Sequence, residues 1–301
     1  MHRVRDVLFS RIMALRPDDD AERDRKTRRS SSRTAKGWAA AAVLACLFAA
    51  ASGITSASAT YGGMCDSIVV IAVRGTGAPA GTGGTVHSGR LYKDAGWGRE
   101  IHPFINLLKQ DPFPYYVHGL AYPASGDPAY VASVTDGRAK LVKEVNYVAS
   151  ACGSVAPPVI LIGHSQGAAV VRTALVNYGS GHVNLTSRAR SVVRAAILFG
   201  DPNYKINQPL NAPGSQNARS GVLGAMPSSF WSQLNAMRYW GWPYQGTTQG
   251  WVQVVRSYCL SGDFFCASGT GNDAMPIHNS YGALRAFDAY RWMDYTLSSQ
   301  D

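Results

Sequence analysis

The stretch that most constrains this 301-residue chain is 159–178. There an apolar tetrapeptide, VILI at 159–162, runs straight into Gly163-His164-Ser165-Gln166-Gly167 and then into an amphipathic pattern over 166–178. A continuous β-branched run suits a parallel strand buried on both faces. A G-x-S-x-G sequence between such a strand and a helix describes a sharp turn that lifts the serine hydroxyl out of the sheet edge. Side chains at 163 and 167 would crowd that turn. The helix opening at Gln166 aims its unpaired N–H groups, and the positive end of its dipole, at the same point, which favours a developing oxyanion. Ser165 is therefore the candidate nucleophile. His164 is expected to pack or bond on the far side of the turn.

The rest of the chain fits an α/β domain. Strands are expected at 68–73 (IVVIAV), 115–118, 159–162, 193–199 and 252–257, with helices at 100–110, 138–151, 166–178 and 283–297. Alternating strands and helices give a mostly parallel sheet with helices on both faces. The Gly-rich stretch 75–89 and the segment 203–250 read as irregular. In such a sheet functional groups gather at the carboxyl ends of the strands. Arg74-Gly75-Thr76-Gly77, the Ser165 turn, Gly200-Asp201-Pro202 and the stretch from Cys259 to Cys266 all fall there.

The first 59 residues are of another kind. Residues 1–36 hold eleven Lys or Arg and six Asp or Glu, and an apolar run from Gly37 to about Ala51 leads to Ser56-Ala57-Ser58-Ala59. A positive leader, a short apolar core and small residues make a secretory signal. An uncleaved anchor is the alternative, and Val43-Leu44-Ala45-Cys46 faintly resembles a lipoprotein site. Removing 1–59 takes 11 of the 29 basic and 6 of the 19 acidic residues, so 18 against 13 leaves a net charge of +5 over 60–301. No basic cluster remains there, so no nucleic-acid partner is expected. Four cysteines also remain: Cys65, Cys152, Cys259 and Cys266. Their even number suits an oxidising compartment, and 259–266 with 65–152 is the economical pairing. No close Cys or His cluster suggests a metal.

A serine hydroxyl needs a base, and the base needs an orienting carboxylate. The expected chain order is Ser, then Asp or Glu, then His. Only His182 and His278 follow Ser165. His182 reads as a surface residue on a polar turn, while His278 stands before the last helix and is the candidate base. Asp263 is favoured as the acid because a Cys259–Cys266 loop would fix its direction. Asp201 and then Asp273 are the alternatives.

RGTGAP after the first strand, GHSQGAAVV, ILFGDP and CLSGDFFC followed by His278 together resemble the cutinase family, in the same order. The resemblance implies a three-layer α/β/α sandwich of the α/β-hydrolase type, with a five-stranded parallel sheet of order 2-1-3-4-5. It places nucleophile, acid and base on Ser165, Asp263 and His278, the oxyanion hole on Thr76 and Gln166, and two disulfides on Cys65–Cys152 and Cys259–Cys266. It implies no cofactor and no metal. Its activity would be carboxylic ester hydrolysis on cutin-like polyesters, acyl esters or lipids. The partner would be an ester or lipid substrate met by a secreted monomer, with contact to lipid or polymer surfaces. Mycolate-type envelope lipids and acetylated polysaccharide are the alternative substrates. A non-catalytic surface protein of the same fold would show a broken triad, and this sequence has none. The stretch 201–259 is longer than in minimal members. Its Phe230, Trp231, Tyr239, Trp240, Trp242, Tyr244 and Trp251 are expected to form a lid or wall over Ser165, or else to enlarge the domain's own core.

Overall fold

The structure is a computed structural model that describes residues 63–86, 91–224 and 226–299. All lie in one compact unit, Thr60–Asp301. The expected signal, anchor and lipoprotein features, and Cys46, fall outside the described residues. Among the described residues no helix is long and apolar enough to cross a membrane.

The β-branched runs form the centre of the sheet. β1 (Ile68–Val73) lies between β4 (Tyr115–Leu120) and β5 (Val159–His164); beyond β5 come β6 (Val193–Phe199) and β9 (Val255–Tyr258), all parallel. In order of the five expected strands this is 2-1-3-4-5. Two further strands, β2 (Thr82–Val86) and β3 (Leu91–Asp94), extend the β4 side in antiparallel fashion, so the sheet has seven strands rather than five. The stretch 75–89 hid β2 because TGGTV lacks the apolar run or alternation that marks a strand. The fifth expected strand, 252–257, is two strands in different sheets. β7 (Arg238–Gly241) and β8 (Gly250–Gln253) make a separate antiparallel hairpin, and the chain re-enters the main sheet at β9.

Both faces of the parallel strands are apolar and both are covered. On one face Val69, Ile71, Val73, Leu161 and Leu198 pack under α2 (Tyr130–Ala151) and α3 (Gln166–Ala174). On the other, Val70, Ala72, Ile160, Ile162 and Ile197 pack under α1 (His102–Leu108) and α7 (Tyr281–Ser298). This is the expected three-layer sandwich. Three short helices complete the order: α4 (Ser187–Val192), α5 (Ser228–Asn235) and α6 (Ala274–His278). α2 begins eight residues before the sequence pattern suggested, because Ser133, Gly137 and Arg138 are buried polar or small residues that break the apolar period.

The long segment after β6 closes the outer edge of the sheet. Ala212 donates its N–H to the Ser257 carbonyl (2.8 Å), so β9 has a partner on its outer side. Unpaired edge strands invite association, and a covering loop removes that hazard. The aromatic half then goes to the far end of the sheet. Trp231 is buried in the core, Phe230 packs on Tyr178 beyond the end of α3, and Tyr244 packs on Tyr295 near the end of α7. α3 begins directly after Ser165 and α7 just after His278, and both run away from the carboxyl edge of the parallel strands. The expected aromatic lid over Ser165 is therefore not what these residues form. The segment leaves the sheet beside Ser165, but Phe230, Trp231, Tyr239 and Tyr244 cover apolar surface at the opposite edge, while Trp240, Trp242 and Trp251 stay exposed there.

The cysteines pair as the spacing suggested, Cys65 with Cys152 and Cys259 with Cys266. Cys65 sits in a turn just before β1 and Cys152 at the end of α2, ahead of β5, so the bond joins two neighbouring strands at their amino ends. The residues are 87 apart, and the chain-entropy model assigns such a loop about 4–5 kcal/mol. The double variant Cys65→Ala/Cys152→Ala should lose stability of that order in chemical denaturation while keeping its turnover per folded molecule. A loss of turnover without a loss of stability would contradict this.

Candidate active site

Packing at the strand–helix turn is so close that it dictates the residues. A Cβ at position 167 would lie 1.9 Å from the Val73 carbonyl oxygen, and one at 163 would lie 2.3 Å from the Gly167 carbonyl oxygen. Only glycine fits either place. Between them Ser165 takes φ 55° and ψ −119°, a conformation that L-residues avoid and that survives where its surroundings enforce it. Its N–H donates to the Phe199 carbonyl (2.8 Å), which ties the turn to the end of β6.

The neighbouring loop is held from below by Arg74. This buried guanidinium donates to the carbonyls of Ala78 (2.9 Å), Leu120 (3.2 Å) and Tyr122 (2.6 Å), and lies over the Tyr122 ring. The Tyr122 hydroxyl returns a bond to the Arg74 carbonyl (2.6 Å). Thr76 follows directly. The Gln166 amide donates to Thr76 Oγ1 (3.2 Å) and to the Ser125 carbonyl (2.8 Å), while Ser133 donates to its Oε1 (2.9 Å). Thr76 and Gln166 are thus brought together beside Ser165, with the Gln166 N–H first in the helix.

On the other side the candidate base and acid meet. His278 Nδ1 donates to Asp263 Oδ2 at 2.8 Å. Asp263 Oδ1 accepts the N–H groups of Phe265 (2.7 Å) and Cys266 (2.8 Å), and the Tyr281 hydroxyl donates to Oδ2 (2.8 Å). Asp263 is fully buried, and burial by itself would raise its carboxyl pKa. The hydrogen bond and charge of His278, with the Cys266 N–H and the Tyr281 hydroxyl, outweigh burial and hold the carboxyl below its usual value. Burial and the adjacent Asp263 charge push Tyr281 well above the ordinary phenol range, so it remains a donor. His278 Nε2, the nitrogen on the opposite side of the ring, is buried and has no hydrogen-bond partner among the described residues.

The alternatives go elsewhere. Asp201 is also fully buried, but Arg172 of α3 claims it: Arg172 Nε donates to Asp201 Oδ2 at 2.6 Å, and Nη2 donates to Asn203 Oδ1 at 2.7 Å. Asp273 is exposed just before α6, and His182 is exposed against the Tyr178 ring. His164 differs from the expectation. It lies against the candidate base, not on the far side of the turn: its ring centroid is 4.7 Å from that of His278, and its Nε2 donates to the His278 carbonyl (2.9 Å). Its Nδ1 is 3.7 Å from Glu100. Burial, then the nearby His278, lower the His164 pKa to about 3, so it is neutral at ordinary pH. Sequence reading missed Tyr281 and Glu100. Tyr281 stands three residues past His278, which was a usable signal; Glu100 carried none.

The sequence model of the cutinase family matches residues 64–297, nearly all of the described chain. The chain belongs to the cutinase family. Cutinase-family proteins are serine esterases, carboxylic ester hydrolases, and this chain shares that class. It is 27% identical over 269 residues to Cutinase 11 of Verticillium dahliae, covering 85% of this chain and 77% of that protein. It is 28% identical over 208 residues to an acetylxylan esterase of Hypocrea jecorina, covering 65% of this chain; the chain spans 61% of that relative's length. Among solved structures, an acetylxylan esterase at 0.90 Å resolution superposes with a TM-score of 0.58 at 26% identity, covering 77% of this chain and 99% of that one.

Two buried carboxylates with different partners should respond differently to the same substitution. If Asp263 orients the base, Asp263→Asn should reduce kcat by about 10⁴, since an amide there stabilises the wrong imidazole tautomer. Asp201→Asn should instead cost stability, about 3–5 kcal/mol for a broken buried ion pair, with kcat per folded molecule nearly unchanged. The reverse pattern in paired kinetic and denaturation measurements would exchange their roles.

His164 makes stability depend on pH. Its pKa is depressed in the folded chain, to about 3, and near 6.5 when unfolded. Between these values the unfolded chain binds more protons, so stability rises with pH and is fully present above about 6.5. Denaturation midpoints should report about 2 kcal/mol lost from this residue between pH 7 and pH 5. In His164→Phe that part of the slope should disappear.

Proposed function

We propose that Ser165, His278 and Asp263 act as the nucleophile, base and acid of the esterase, and that its substrates are short acyl esters carried on a polysaccharide. The observation that carries the catalytic reading is the His278–Asp263 hydrogen bond. It fixes the proton on Nδ1 and leaves Nε2 as the acceptor. In this reading Nε2 takes the Ser165 hydroxyl proton as Oγ attacks the acyl carbonyl. The tetrahedral oxyanion is held by backbone N–H groups at Thr76 and Gln166. Collapse expels the alcohol, which leaves with the proton from Nε2. Water then attacks the acyl-enzyme by the same route, and the acid product is released. Asp263 stays ionised and stabilises the imidazolium.

The acyl preference is argued from access. Ser165 is 7% and His278 2% exposed, and the Phe265 ring packs 4.6 Å from the His278 ring. Such a site takes a small acyl group more readily than a long chain, and an acetylxylan esterase is among the chain's relatives. Cutin-like polyesters form the second reading, favoured by the Verticillium dahliae relative. We also infer that the chain works in an oxidising compartment outside the cytosol, since two disulfides tie its sheet and its acid loop.

An organophosphate probe should label Ser165, and Ser165→Ala should fold normally with kcat lower by about 10⁶. Across p-nitrophenyl esters, kcat/KM should be greatest for acetate and fall with chain length. Failure to label Ser165 would overturn the catalytic assignment. A preference for long chains would favour polyester or lipid.

A further inference from the structure

We propose that the β7–β8 hairpin and the cleft beside it bind an acidic polysaccharide, at the sheet edge opposite Ser165. Hairpin residues alternate between two faces. Tyr239 and Val252 turn inward, half-buried and buried. Arg238, Trp240, Trp251 and Gln253 share the outward face, where Trp240 pairs directly with Trp251 across the strands. Their rings meet edge to face at 5.6 Å, and the Arg238 guanidinium lies 4.4 Å from the centroid of the Trp251 ring. Trp240 and Trp251 remain 58% and 55% exposed, an arrangement that burial in the protein's own core does not explain.

The chemistry around this platform points to a glycan with carboxylates. Arg238 also lines a cleft of about 520 Å³ together with Arg190, Asn177, Ser191, Gln233 and Tyr239. Two arginines line it and no Asp or Glu does; Arg190 Nη1 donates to the Leu175 carbonyl (2.9 Å), which leaves its other N–H groups without a competing carboxylate in the cleft lining. On its other side Trp251 borders a second cleft of about 190 Å³, beside Tyr244 and Gln253. Arg238 lines one cleft and Trp251 the other, and their contact links the two, which suits an extended chain better than a single small anion. Aromatic faces stack on the C–H faces of sugar rings, amides and hydroxyls meet sugar hydroxyls, and guanidinium groups pair with uronate carboxylates.

Position separates this occupant from a lipid surface. The large cleft reaches Val193 and Val254, at the amino ends of β6 and β9, whereas Ser165 stands past the carboxyl end of β5. The strands are six or seven residues long, which sets the two places about 20 Å apart. A membrane bound here would leave Ser165 facing away from the lipid. A polysaccharide chain held here keeps the enzyme on a polymer whose other segments reach the catalytic edge. The proposal rests on the polysaccharide reading of the substrate but not on the catalytic residues.

Binding is therefore measured on Ser165→Ala protein, by calorimetry with polygalacturonate, neutral xylan and phosphatidylglycerol vesicles. The expected result is binding to polygalacturonate that weakens with salt and falls about tenfold or more in Trp251→Ala and in Arg238→Gln. In the Ser165-containing chain the same two substitutions should leave p-nitrophenyl acetate hydrolysis unchanged. Trp240→Ala provides a second aromatic variant if Trp251→Ala fails to fold. Equal binding to neutral xylan, unchanged binding in the variants, or binding to vesicles in place of polygalacturonate would each overturn the proposal. None of these outcomes depends on whether acetate is the preferred acyl group.

Discussion

Among the described glycines, Gly167 has the least room for a Cβ, because α3 sits on β1 with the Val73 carbonyl against that position. Much of the site follows from it. The helix can start directly over the crevice between β1 and β5 only because 167 lacks a side chain. That start forces Ser165 into its positive-φ turn and brings the Gln166 N–H to the same point. Arg74, the residue after Val73, then anchors the next loop on three carbonyls, which sets Thr76 against Gln166. One steric constraint between two strands thus fixes both the serine and the donors beside it.

The second half of the site is governed by desolvation. A carboxylate as buried as Asp263 is costly unless its oxygens are satisfied. Two backbone N–H groups, the Tyr281 hydroxyl and His278 meet that need, and the short Cys259–Cys266 loop presents the N–H groups. Asp201 obeys the same rule with another solution. It is equally buried and equally satisfied, but by Arg172 and the Asn203 N–H, so it links the elbow helix to the loop after β6. The partners, more than the depth of burial, separate a carboxylate that can steady an imidazole from one that holds a helix in place.

Much of this was legible in the chain. IVVIAV and VILI suited buried strands, and GHSQG between such a strand and a helical pattern suited a sharp turn. CLSGDFFC followed by His278 was enough to favour Asp263 over Asp201. Signals failed where local pattern and environment part company. TGGTV reads as loop yet forms β2, because antiparallel pairing to β3 supplies what propensity lacks. WVQVVRSY reads as one strand yet serves two sheets, since β8 pairs with its hairpin and β9 with β6.

The sequence alone pointed to the layer architecture and the strand–Gly-x-Ser-x-Gly–helix turn, which rest on residues close in sequence, and it made 259–266 with 65–152 the economical of three possible cysteine pairings. Tertiary structure alone decided what the long-range partners are. His164 bonds the carbonyl of His278, 114 residues away. Tyr281 joins Asp263, and Arg172 takes Asp201, across gaps of 18 and 29 residues. The aromatic segment left the sheet at the Ser165 edge, and its composition could not say where it would settle. Phe230, Trp231 and Tyr244 went where uncovered apolar surface remained, at the other end of the sheet, a property of the assembled fold and not of any local stretch.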